Sequence, residues 1–102
     1  MARQWSKSHK LRFTSGRIYK RYKSRFYHIV ARIGETELPA GFSGSEILIN
    51  QECDVFGAAT EDAVAWFNCN QLLSGRYLTL QTTEWAHFEI DEIFVHRSES
   101  KL

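Results

Sequence analysis

Cys69-Asn-Gln-Leu-Leu-Ser-Gly-Arg-Tyr-Leu-Thr-Leu80 sets a Ser74–Gly75 turn signal between two apolar runs, and the fold is read outward from it. Upstream, Ala63-Val-Ala-Trp-Phe-Asn-Cys69 reads as one strand. Downstream, Arg76-Tyr-Leu-Thr-Leu-Gln81 reads as the next, and Phe88-Glu-Ile-Asp-Glu-Ile-Phe-Val95 follows after the polar turn Thr82-Thr83-Glu84. Branched and aromatic side chains dominate all three, as a pleated, half-buried surface prefers. Earlier in the chain, Phe26 to Ile33 alternates so that Tyr27, Ile29, Ala31 and Ile33 share a face. Ser45 to Asn50 reads as a short strand after the loop Gly34 to Gly44, which holds the only proline, Pro39. Gln51 to Asp62 reads as a loop or a single helical turn. Strands at 26–33, 45–50, 63–69, 76–81 and 88–95 predict an all-β fold, an antiparallel sandwich or jelly roll.

At 102 residues the chain has room for one domain with its own core, and 43% apolar content argues against global disorder. The longest uninterrupted apolar run, Ala63 to Phe67, is far too short to span a membrane as a helix. The first ten residues contain no apolar run of the signal-peptide kind, and no Asn-x-Ser/Thr sequon occurs.

The net charge of +1 conceals a strong asymmetry. Residues 1–32 carry ten Lys/Arg and no acid, while residues 33–102 carry three Lys/Arg and all twelve acids. Residues 1–25 therefore read as a basic arm, with 1–10 unstructured. Leu11–Phe13 and Arg17–Tyr22 would form a basic hairpin about Ser15–Gly16. Such an arm is either a solvated flank or an electrostatic contact for nucleic acid, anionic lipid or sulfated glycan. The chain then divides into this arm, a β domain over 26–96 and a polar tail over 97–102. The two cysteines, without metal-ligand spacing, are either buried thiols or one disulfide.

Several segments, in this order, resemble the C-terminal half of the fucolectin-like (F-type lectin) domains, relatives of the discoidin or coagulation factor 5/8 type C domains. They are Gly44-Ser-Glu-Ile-Leu-Ile49, Cys53, a sixteen-residue step to Cys69, Gly75-Arg-Tyr-Leu-Thr-Leu80 and Phe88 to Val95. The resemblance covers about residues 26–96. It implies a galactose-binding-domain-like jelly roll, non-catalytic and secreted, that binds a glycan of fucose or galactose type with loops at one end. It also implies a disulfide between Cys53 and Cys69, hence an oxidising compartment. Only part of such a domain is present, so the resemblance implies an incomplete sandwich with exposed sheet edges.

The family's sugar site uses a His and an Arg-x-Asp-x4-Arg/Lys motif. Arg32, Arg25 and His28 are the nearest counterparts, but Gly34 and Pro39 replace the expected Asp and second cation after Arg32, and Tyr27 replaces the Asp after Arg25. Glu92 takes the place of the carboxylate that helps hold a structural Ca²⁺ in the family. Cys53, Cys69, His87 and His96 lack zinc spacing, and no activated nucleophile is visible. The sequence thus predicts no enzyme. It predicts an extracellular recognition module that binds carbohydrate. The alternative is a protein-interaction or nucleic-acid-binding remnant that uses the basic arm.

Overall fold

The computed structural model describes residues 2–38, 50–82, 88–96 and 100–102. The strands are β1 (Ala2–Arg21), β2 (Ile29–Gly34), β3 (Gln51–Phe56), β4 (Val64–Thr82), β5 (Glu89–Val95) and β6 (Ser100–Lys101), with a single 3-10 turn at Lys23–Arg25. They form one antiparallel sheet in the order β3-β2-β4-β1-β5-β6. The all-β, sandwich-like architecture expected from the sequence is present. The expected strand at 45–50 lies outside the described residues except for Asn50, as do Pro39, His87 and most of the 82–84 turn.

Three expectations are corrected. Gln51 to Phe56, read as part of a loop or a single helical turn, form β3. Residues 2–21, read as a partly unstructured arm, form one strand in the interior of the sheet, between β4 and β5. The segments 63–69 and 76–81, read as two strands around a Ser74–Gly75 turn, belong to one strand, β4. Long strands that stay straight cannot close a core over themselves. Here irregularities bend them, as bulges do. Four residues of β1, Lys7 to Lys10, stand opposite Arg76 alone, and four residues of β4, Cys69 to Leu72, stand opposite Thr14 alone. The two insertions offset each other, so Ala2–Ser6 and Ser15–Tyr19 pair with β4 in the same register on either side.

The bend lets both ends of β4 serve different neighbours. Its C-terminal half pairs with β2 through Tyr77–Thr82, while its N-terminal half, Val64–Asn68, pairs with β1 only. β3 folds back over that second edge. The bond between Cys53 and Cys69 joins them with a Cα–Cα distance of 4.4 Å. The Asp54 carboxylate accepts from Val55 N at 2.7 Å and from Asn68 N at 2.9 Å, satisfying one exposed amide on each edge. One core results, built from Ile18, Phe67, Ile93 and Val95 on one side and Ile29, Ala31, Ile33, Leu78 and Leu80 on the other.

Both glycines of the Ser–Gly dipeptides in β1 and β4 serve packing. A Cβ on Gly75 would lie 2.5 Å from the Gly34 carbonyl oxygen, so the β4 and β2 backbones approach there only because position 75 has no side chain. A Cβ on Gly16 would fall on the Phe67 ring and the Phe94 carbonyl oxygen; Phe67, directly across the ladder, covers the gap the glycine leaves.

Candidate functional site

The inward faces of β1 and β4 are spent on the core, so their chemistry with a partner comes from what they present outward and at the bulges. β1 carries seven Lys/Arg and no acid, and β4 carries Arg76 as its only charged residue. The paired strands therefore hold eight cations without one carboxylate. Four of these meet at the β1 bulge. Lys7 and Lys10 are within it, Arg12 follows it opposite Ser74, and Arg76 stands across from it. Arg76 Nε donates to the Lys7 carbonyl at 3.1 Å, which ties the bulge to β4 and fixes one end of the guanidinium. Lys10, Arg12 and Arg76 are exposed and Lys7 is half-buried. Lys10 reaches Glu35 at 3.7 Å, an exposed pair of the kind that contributes little and exchanges readily.

A four-residue insertion splays side chains that a regular ladder would alternate between faces. Here it places Lys7 and Lys10 opposite Arg76 in the ladder. Unsupported, such a cluster repels itself, and an anionic chain that displaces its counter-ions relieves the repulsion. The sequence marked the basic run but not Arg76, and not its position beside Lys7. The signal for Arg76 was the absence of any acid from Ala63 to Thr83.

The residues singled out from the sugar-site motif lie on different elements. Arg25 ends the 3-10 turn, exposed, with its guanidinium 4.8 Å from the centroid of the Tyr22 ring. His28, expected within a strand, sits just before β2 in a left-handed conformation (φ 49°), its N–H bonded to the Gly57 carbonyl at 2.8 Å. Arg32 lies in mid-β2, four residues on, about 13 Å along an extended chain. It is half-buried and donates from Nη1 to the Asn50 carbonyl at 3.0 Å. Asn50 is itself buried and exchanges hydrogen bonds with the Thr36 backbone, so Arg32 anchors the return of the chain into β3. Gln4 secures the outgoing segment, bonding Thr36 O, Leu38 N and Thr79 Oγ1.

Glu92 accepts from Lys101 at 3.1 Å on the outer face of β5. Among the described residues no group of three His, Cys, Asp or Glu gathers around it or elsewhere. Cys53 and Cys69 are bonded to one another and buried. Ser15 Oγ and His96 Nδ1 stand 3.4 Å apart, and His96 Nε2 is buried without a partner among the described residues. His96 packs against Trp66, edge to face at 5.3 Å. No helix of the described residues is long and apolar enough to cross a membrane.

No known family, no curated protein and no solved structure matches the chain. These comparisons therefore identify neither a fucolectin nor a discoidin domain.

Proposed function

We propose that the chain is a non-catalytic recognition module that binds an acidic glycan through Lys7, Lys10, Arg12 and Arg76. The observation that carries this reading is the gathering of four cations by the β1 bulge on two strands that hold no acid. A linear polyanion matches a short basic ridge better than a neutral sugar does, because its affinity comes from counter-ion release along the chain. The disulfide favours a glycan over nucleic acid as the physiological polyanion, since such bonds persist in oxidising, extracytoplasmic settings. Resemblance of the 26–96 region to fucolectin-like domains supports the carbohydrate part of the reading, and its neutral-sugar form is set aside because Arg32 is engaged with the Asn50 carbonyl and Gly34 and Pro39 replace the Asp and second cation of the motif.

Binding of the full chain to a heparin-derived hexasaccharide, to single-stranded oligodeoxynucleotide of equal charge and to neutral dextran tests this. The expected order is sulfated glycan at least as tight as oligonucleotide, with no binding to dextran. Preference for the oligonucleotide by tenfold or more would transfer the site to nucleic acid, and equal binding to dextran would remove the electrostatic basis altogether.

A further inference from the structure

β3 and β4 touch at the disulfide and diverge beyond it, joined by residues 57–63. The gap is a cleft of about 330 Å³, walled by Phe26, Val55, Phe56, Val64 and Trp66. Trp66 is 65% exposed and Val55 54%, so the cleft continues onto open apolar surface. Lys20, ten residues along β1 from the bulge, lines it from the inward face of its strand.

Lys20 is only 6% exposed. Its Nζ donates to Thr60 Oγ1 at 3.1 Å and lies 5.5 Å from the centre of the Phe26 ring. It forms no ion pair among the described residues. Burial desolvates the ammonium, and the hydroxyl, the ring and the Asp62 and Glu61 carboxylates offset only part of that cost. Burial accordingly pushes the Lys20 ammonium below its usual range, opposed by Asp62 and Glu61 and assisted by Lys23. A cleft with apolar walls and a few convergent polar groups, here Lys20, Thr60 and Asp62, has the make-up of a small-molecule site.

We propose that this cleft binds a small amphipathic monocarboxylate, whose head group supplies the counter-ion Lys20 lacks and whose apolar body lies against Phe26, Val55, Phe56, Val64 and Trp66. Asp62, which also lines the cleft, and Glu61 beside it in the chain select a single negative charge over a phosphate dianion. The site is independent of the basic ridge. Binding needs the charged amine, so affinity is greatest below the lowered Lys20 pKa. It declines as pH rises through that value, earlier than for an ordinary lysine.

Calorimetric titration of the full chain with 3-phenylpropanoate, and with the uncharged 3-phenylpropanamide, tests the proposal. The acid is expected to bind saturably, with the amide at least tenfold weaker on the wild type. Lys20→Met is expected to lose the acid tenfold or more, and Thr60→Val, which keeps the amine, to lose it several-fold. Equal binding of acid and amide, retention of the acid by a folded Lys20→Met, or no saturable binding of the acid at millimolar concentration each overturns the proposal. The wild-type comparison decides it even where a variant does not fold.

Discussion

Replacing both bonded cysteines, Cys53→Ala with Cys69→Ala, opens the seam between β3 and β4. No ladder joins these strands among the described residues, and across the seam the bond is supplemented by the hydrogen bond from Asn68 N to the Asp54 carboxylate. The cysteines are 16 residues apart. A cross-link closing a loop of that size stabilises by about 3 kcal/mol through restriction of the unfolded chain. For a domain of about this length, that corresponds to a fall in Tm of roughly 12–24 °C. It is a large share of the ~5–15 kcal/mol that holds such domains folded. Urea denaturation of oxidised wild type against the double variant measures the free energy. Amide hydrogen exchange localises it. The amides of Val55 and Asn68 should lose protection first, while the β1–β5 ladder through Gly16–Tyr19 keeps it. A loss below about 1 kcal/mol, or equal loss of protection in the β1–β5 ladder, would refute the view that the bond is a local staple on an otherwise unlaced seam.

Other expectations rest on single contacts. Gly75→Ala forces a methyl onto the Gly34 backbone and should destabilise by about 1–3 kcal/mol, read by urea denaturation; a neutral result would show that β2 and β4 can separate there freely. Lys20→Met should be more stable than wild type at pH 7, because it removes an unpaired buried charge. Since folding lowers the Lys20 pKa, the unfolded chain binds more protons between the folded and unfolded values. Wild-type stability therefore gains on the variant as pH rises through that window, and a widening gap would contradict the assignment. Trp66→Ala should leave stability within about 0.5 kcal/mol, as its side chain is mostly in solvent; thermal unfolding checks this.

The strand character of β2, β5 and both halves of β4 was legible because each alternates or is rich in branched and aromatic residues. Ile29, Ala31 and Ile33 face the core as their spacing predicts. Ser15–Gly16 and Ser74–Gly75 misled for one shared reason. Local sequence cannot tell a glycine that turns the chain from one that lets another chain segment approach, and here Phe67 and Gly34 take up the space. Ala2 to Lys10 gave no apolar alternation because that half of β1 gains its place by pairing with Tyr77–Gln81, which the strand's own composition does not report. The disulfide followed from a resemblance, and its geometry from the fold of β3 over β4. The basic ridge was half legible. Charge counting found the cations of β1, but only the register set Arg76 against the Lys7–Lys10 bulge.

The salt dependence of glycan binding tests the central claim most directly. If Lys7, Lys10, Arg12 and Arg76 contact the polyanion, the plot of log affinity against log salt should slope at about −2.8, a loss of roughly 50-fold between 50 and 200 mM salt. Changing all four to Gln, which keeps an amide donor for the Lys7 carbonyl at position 76, should flatten the slope toward zero in a protein of unchanged circular dichroism. A wild-type affinity indifferent to salt, or a slope that survives the four substitutions, would place the binding elsewhere and contradict the account.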